Sequence, residues 1–360
     1  MPRPLTRHLA APATNSATNS GDDTDAKSKS ERRRPSKKAP WWFRVIRSAG
    51  LVYLVVVLVM VWMEPRLVYP GAYRDLEEYP ADHFDRPDNG VTGRLPVVTV
   101  RYASAGTDEL PGRYLKRPGA DHWLLYFHGN AEWAIENDGE ARRLSKAFNA
   151  NVLVAEYRGF TDDATPTENG LLADGLAAWD WLNQQREQST RDPSNADVQT
   201  LSPSDMSTSG RMIIMGRSLG GGVATLVATH PITGGAIDDY ASASTIRRCD
   251  TLVIDRSFDS MVNTAAEHYR WLPVRWLMRN RYDSAARLID YDGQLIVVHG
   301  PPDDIVPFRR GRRLYETATT TDKTFFEIPN LGHLDRLPDE ALGRIAEQIF
   351  DPSPGETAAF

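Results

Sequence analysis

The 360-residue chain carries 42 Lys and Arg against 48 Asp and Glu, for a formal net charge of −6. That mildly acidic balance lacks the basic field that draws a protein to DNA or RNA, and it counts against nucleic acid as a partner. The single cysteine, Cys249, can close no intramolecular disulfide and supplies no pair of thiolates for zinc.

Residues 1–40 are rich in Pro, Ser, Thr, Asn and charge and offer almost nothing apolar to offset the entropy of ordering a backbone, so they are expected to form a disordered tail. The tail ends in a basic cluster, Arg32, Arg33, Arg34, Lys37 and Lys38. Trp41, Trp42 and Phe43 follow, and from Ser48 to Met63 the chain is uncharged and dominated by Leu and Val. Residues 41–64 therefore predict one transmembrane helix, with Arg44 and Arg47 snorkelling to headgroups and Trp41, Trp42 and Trp62 in the interfacial belts. A buried core helix would show a polar face every 3.6 residues, and this run shows none. A cleaved signal peptide shares the basic flank and apolar core, but no A-x-A-like site follows Met63. Positive charge is concentrated before the span, while Glu64 and Arg66 nearly cancel after it. The positive-inside tendency then puts the N-terminus in the cytoplasm and the rest of the chain on the extracytoplasmic side.

Residues 65–360 read as one α/β domain. Val97 to Tyr102 and Tyr114 to Leu115 predict an initial antiparallel pair. Apolar or β-branched runs at Trp123 to Phe127, Val152 to Glu156, Met212 to Gly216, Thr251 to Asp255, Gln294 to Val298 and Thr324 to Ile328 predict strands buried on both faces. Helical character falls between them, at Glu132 to Phe148, Leu171 to Gln188, Leu219 to His230, Arg309 to Thr317 and Asp339 to Phe350. This alternation argues for a mostly parallel sheet with helices on both faces. Residues 187–210, rich in Ser, Thr, Asp and Pro, predict a flexible insertion.

The chemistry concentrates where strands end. Met212 to Met215 leads into Gly216-Arg217-Ser218-Leu219-Gly220 and then an Ala/Val/Leu helix, a G-x-S-x-G motif in strand-turn-helix context. Such a turn is sharp, its glycines remove Cβ atoms that would clash, and the serine hydroxyl is left exposed above the sheet as a candidate nucleophile. On elbows of this kind the partners follow in the order acid, then histidine. The strand from Gln294 runs into His299-Gly300-Pro301-Pro302-Asp303-Asp304, and Asp303 is the expected orienting acid. Asp304 is its alternate, since a one-residue shift in the turn exchanges them, and Asp255 is a third strand-end candidate. His333, after Pro329-Asn330-Leu331-Gly332, is the expected general base. An oxyanion needs backbone N–H donors: Leu219, following the nucleophile, supplies one, and Asn130, with Ala131 second, supplies the other from the loop His128-Gly129-Asn130-Ala131-Glu132. His128 is expected to buttress that loop and take no proton.

Together these residues resemble the α/β-hydrolase superfamily, and within it the Bem46-like branch that includes the ABHD13 and ABHD17 types and is grouped with serine aminopeptidases. The resemblance runs from about Tyr69 to Ile349. It rests on His128-Gly129-Asn130-Ala131; on Tyr157-Arg158-Gly159-Phe160 with Pro166 to Leu171 and Asp174; on Gly216 to Gly221, where Arg217 is more specific than the generic motif; on His299-Gly300 through Asp303 to Val306-Pro307; and on Tyr269 to Asp283. It implies an α/β-hydrolase fold on eight strands, no large lid, and a serine hydrolase needing neither metal nor organic cofactor. Thr161 to Ala164 and the long stretch Gly234 to Asp250 depart from the branch pattern. An ester or thioester of a small or lipid-like acyl group is the expected substrate. A peptidase on the same three residues and a catalytically idle membrane-tethered scaffold are the rival readings.

Overall fold

The computed structural model describes residues 40–74, 94–107, 109–191, 210–231, 249–351 and 358–359. The expected disordered tail therefore lies outside the described residues except for Pro40, as do 192–209 of the expected insertion and 234–248 of the atypical stretch. The chain divides between Val52 and Tyr53 into two units. In the first, residues from Trp41 onward form the beginning of helix α1, and its side chains are exposed. The second holds everything else.

Helix α1 spans Trp41–Val68, 28 residues, or about 42 Å at 1.5 Å per residue. It contains an 18-residue window of mean hydropathy 2.3 and is long and apolar enough to cross a bilayer. The sequence ends the span at 64, but the helix runs one turn further, with Pro65 inside it. Proline removes an N–H, yet here it falls in the last turn, which Tyr69 closes by donating its N–H to the Pro65 carbonyl at 2.8 Å. Beyond Tyr53 the helix is not uniform around its axis. Val57, Glu64 and Val68 are buried and Met60 and Val61 half-buried, all spaced three or four apart on one face. Glu64 accepts the backbone N–H groups of Arg279 and Asn280 at 2.8 and 3.0 Å and the Asn280 side-chain amide at 3.2 Å. Two further bonds tie the same stretch: the Tyr53 hydroxyl donates to the Trp271 carbonyl at 2.9 Å, and the Tyr69 hydroxyl to Asn280 Oδ1 at 2.8 Å.

The larger unit is built on a mixed sheet of eight strands: β1 Val98–Ala103, β2 Glu109–Leu115, β3 His122–Phe127, β4 Ala150–Ala155, β5 Met212–Arg217, β6 Thr251–Asp255, β7 Gln294–His299 and β8 Lys323–Glu327. The two-residue β9, Ala358–Ala359, extends its far edge beside β8. The order is β1-β2-β4-β3-β5-β6-β7-β8-β9, with β1 and β2 antiparallel to their neighbours and the others parallel. Because side chains alternate along a strand, each buried strand feeds two cores. Leu125, Phe127, Ile214, Ile254 and Val297 join one, and Leu124, Tyr126, Ile213, Val253 and Val298 the other. Helices α3 (Glu168–Arg191), α4 (Leu219–Ala228) and α8 (Phe308–Thr317) cover the first face, while α2 (Asp138–Phe148) and α9 (Asp339–Phe350) cover the second.

Boundaries differ from expectation where local signals compete. The segment from Glu132 first makes a 3-10 turn at Ala134–Asn137 before α2 begins, and α3 starts at Glu168 rather than Leu171. Helix α3 also continues to Arg191, so residues 187–191 are helical and are not part of a flexible insertion. Three short helices that the sequence does not announce, α5 (Met261–His268), α6 (Val274–Leu277) and α7 (Ser284–Arg287), form a cap between β6 and β7.

Replacing Glu64 with alanine strands two backbone N–H groups of the cap. The loss of this charge-assisted set is expected to exceed about 1 kcal/mol, which in a domain of this size lowers Tm by roughly 2–4 °C per kcal/mol. Thermal unfolding of the full chain in detergent checks this, and an unchanged Tm would mean that the contact adds no stability.

Candidate active site

Strand β5 ends at Arg217, and Ser218 follows at φ +54°, ψ −119°, a conformation costly for any residue with a Cβ. Neighbouring backbone imposes it. The Ser218 N–H donates to the Asp255 carbonyl at 3.0 Å, and the Ser218 carbonyl accepts from the Ser257 hydroxyl at 2.7 Å and the Gly221 N–H at 3.0 Å. Packing dictates the flanking glycines: a Cβ on Gly216 would lie 2.1 Å from the Gly220 carbonyl oxygen, and one on Gly220 would lie 2.1 Å from that of Phe127. Helix α4 begins at once with Leu219, so its positive end faces the serine.

Two loops from the same sheet edge reach this serine. His333, in the loop after β8, places Nε2 2.9 Å from Ser218 Oγ and Nδ1 2.8 Å from Asp303 Oδ2. With its proton on Nδ1 donated to Asp303, the neutral imidazole leaves Nε2 to accept the serine hydroxyl proton. Asp303 and His333 are 5% and 8% exposed. Burial alone would raise the Asp303 carboxyl, but bonds from His299 and His333, the charge His333 can carry and the Val306 N–H outweigh it, holding the group well below the usual carboxylate range. Asp304, the alternate acid, is exposed and makes none of these contacts. Asp255, the third, is buried and paired with Arg256.

On the other side, Asn130 and Leu219 both line the space beside Ser218. Asn130 is fixed through its side-chain amide, which donates to the Val68 carbonyl at 2.5 Å, and through its own carbonyl, which accepts the Gly71 N–H at 3.0 Å. His128 is fully buried, with Nδ1 2.9 Å from the Gly129 carbonyl and Nε2 3.1 Å from Glu156. Glu156 in turn accepts the Ala134 N–H, so the pair shapes the loop. Ala131, the second choice for the oxyanion loop, has its carbonyl bonded by Arg74 at 3.0 Å. Glu132 forms an ion pair with Arg217, joining this loop to the elbow.

A cavity of about 510 Å³ opens above Ser218, within the roughly 300–1,000 Å³ typical of small-molecule sites. Phe258, Met261, Leu272 and Leu277 of the cap line it, and so do α1 residues. Glu64 and Asp304 are the carboxylates on its wall.

No protein-family model matches the chain. Two uncharacterized proteins of Mycobacterium tuberculosis, strains CDC 1551 and H37Rv, are 31% identical over 211 residues, 58% of this chain and 62% of theirs. Lysophosphatidylserine lipase ABHD12 of Danio rerio is 25% identical over 248 residues, 64% of this chain and 55% of that protein. The chain thus spans less than two thirds of the length of these curated relatives. Among solved structures, the Pyrococcus furiosus esterase Pf2001 superposes with a TM-score of 0.48 at 14% identity, covering 70% of this chain and 91% of that one. In sequence order the elbow after β5, the acid after β7 and the histidine after β8 sit at the carboxyl edge of a sheet ordered β1-β2-β4-β3-β5-β6-β7-β8. The chain has the α/β-hydrolase fold.

Two residues of this site escape sequence reasoning. Arg256, also at positive φ, donates to the carbonyls of Gly332 and His333 at 2.9 and 3.1 Å and to that of Asp335, so it holds the His333 loop from beneath. His299, fully buried, places Nε2 2.9 Å from the Val306 carbonyl and 3.3 Å from Asp303. A Cβ on Gly311 would come within 2.1 Å of its Nδ1, so that glycine in α8 makes room for the ring. Their places at strand ends are a signal they share with many residues of no consequence, and the motif block that His299 opens does not by itself tell its role.

A carboxyl whose folded pKa is lowered contributes stability that is complete above its unfolded value, about 3.9, and is lost as pH falls through the folded value. The Tm difference between wild type and Asp303→Asn should therefore be full at pH 6 and narrow steadily on acidification below about pH 4. A difference independent of pH over that range would contradict the low pKa.

Proposed function

We propose that this chain is a membrane-anchored serine hydrolase that cleaves a carboxylic ester or thioester through an acyl-Ser218 intermediate. The observation that carries the reading is the continuous bonding of Ser218 to His333 to Asp303 beneath an apolar cavity. Ser218 Oγ attacks the carbonyl as His333 Nε2 takes its proton, and Asp303 stabilises the resulting imidazolium. The backbone N–H groups of Leu219 and Asn130 receive the oxyanion, each donor worth about 3 kcal/mol of barrier. His333 then protonates the departing alcohol or thiol, and the same steps with water release the acid. No step calls on a metal or organic cofactor.

An ester or thioester suits the site better than a peptide. A peptide N-terminus would need a carboxylate to pair with; Glu64 on the cavity wall is already committed to the Arg279 and Asn280 amides, which leaves the solvent-exposed Asp304 for that role. The lipase name of one relative and the apolar lining support a lipid-like acyl group. The finer assignment to the Bem46-like branch rests on the motif blocks of the sequence. Helix α1 supplies the anchor, and the basic residues before it orient the N-terminus to the cytoplasm, with the hydrolase domain on the extracytoplasmic side.

A fluorophosphonate probe should label wild type and not Ser218→Ala, and p-nitrophenyl ester turnover should fall at least about 10⁴-fold in Ser218→Ala and in His333→Ala. Folded wild type that neither labels nor turns over would leave an idle scaffold as the better account. Protease added to intact spheroplasts is expected to digest the hydrolase domain; digestion only after lysis of the inner membrane would reverse the orientation.

A further inference from the structure

We infer that the last turns of α1 form one wall of the acyl-binding subsite, so that the anchor itself sets which acyl chains the enzyme accepts. This rests on the hydrolase reading and extends it: the ligand class is a single fatty acyl chain in ester or thioester linkage.

The cavity that begins at Ser218 and Leu219 is closed on one side by Met60, Val61, Glu64, Leu67 and Val68 of α1, and on the other by the cap. Of these α1 residues Glu64 and Val68 are buried and Met60 and Val61 half-buried in the larger unit, while Leu67 lies at the exposed edge and Leu58 and Trp62 on the same helix stay 59% and 70% exposed. A helix that served only as a tether would have no reason to bury one face against the domain it carries. The contact is also fixed. Glu64 grips two cap amides at one level, and the Tyr53 hydroxyl grips the Trp271 carbonyl about 16 Å further along the axis, at 1.5 Å per residue. Between those two bonds, Met60 and Val61 line the same cavity as Met261, Leu272 and Leu277 of the cap, with Thr264, His268 and Tyr269 as the polar side chains on the cap side. The reacting carbonyl must lie at Ser218, so the acyl chain runs from there along the apolar lining that α1 and the cap supply.

Each methylene that such a cavity buries is worth about 0.8 kcal/mol of transfer free energy, or roughly fourfold in kcat/KM, until the space is filled. The test uses the full chain in lipid nanodiscs with p-nitrophenyl esters from butanoate to dodecanoate, rates normalised to fluorophosphonate-labelled Ser218 so that misfolded protein does not count. In wild type, kcat/KM should climb with chain length. Val61→Trp should cut the dodecanoate-to-butanoate ratio by tenfold or more, Met60→Ala should move the optimum to longer chains, and Leu58→Trp on the exposed face should leave the ratio at its wild-type value. A ratio unmoved by Val61→Trp and Met60→Ala, or moved equally by Leu58→Trp, would overturn the inference. Wild type without labelling or turnover on any ester would instead overturn the hydrolase reading beneath it.

Discussion

The structure turns on the close approach of backbone around Ser218. Strand β5 must reverse into α4 within one residue, and the space for it exists only because Gly216 and Gly220 lack side chains. The strain of a serine at φ +54° is held by bonds that run sideways to the end of β6 and the residues just after it: the Asp255 carbonyl accepts the Ser218 N–H, and the Ser257 hydroxyl donates to the Ser218 carbonyl. The parallel pairing of β5 with β6 therefore does more than fill the sheet. It fixes the one residue whose hydroxyl has to project.

From β6 the constraint passes to the histidine. Asp255 pairs with Arg256, and Arg256 spends its remaining donors on the carbonyls that surround His333. A similar logic holds the opposite wall, where His128 and Glu156 are both fully buried and bonded to each other and to the loop carrying Asn130. Removing such groups from water offsets much of their mutual attraction, so pairs of this kind contribute little net stability. Their value lies in position: with Arg256 under one loop and Glu156 under the other, the serine, histidine and loop amides are held at bonding distance before any substrate arrives.

What the sequence discloses follows from how local the determinants are. The elbow is legible because strand, glycines, serine and helix are contiguous, and the central strands because burial on both faces leaves unbroken Val, Ile and Leu runs. The three side chains that meet at the site come from three loops, and once the elbow is recognised chain order and strand ends narrow the partners to His333 and a few acids. Asp303 and Asp304 could not be separated in the sequence, because which of two adjacent turn residues points inward depends on the Val306 and Ile305 amides that bond Asp303. Arg256 acts on partners far away in sequence and carries no motif, and His299, though it opens a motif block, gives no sign there that its ring bonds Asp303 and a backbone carbonyl. The cap helices α5 to α7 are too short to display a helical period, so they read as loop.

Helix α1 shows the limit most clearly. Its uniform apolar character is what bilayer insertion requires, and the same uniformity hides any face specialised for protein, since lipid and a hydrophobic cavity select identical residues. Among the charged residues of α1, Glu64 alone is buried. Read along the sequence it is one of two charges that cancel beyond the span; in the structure it is the buried acceptor for the cap. A carboxylate placed there is favourable only if its partners are always in place, which makes the docking of the cap against α1 a condition of the fold and not an incidental contact. The wall beside Ser218 is thus lined by the last turns of the same apolar helix, and a change in that stretch of α1 is felt in the cavity as well as in the helix.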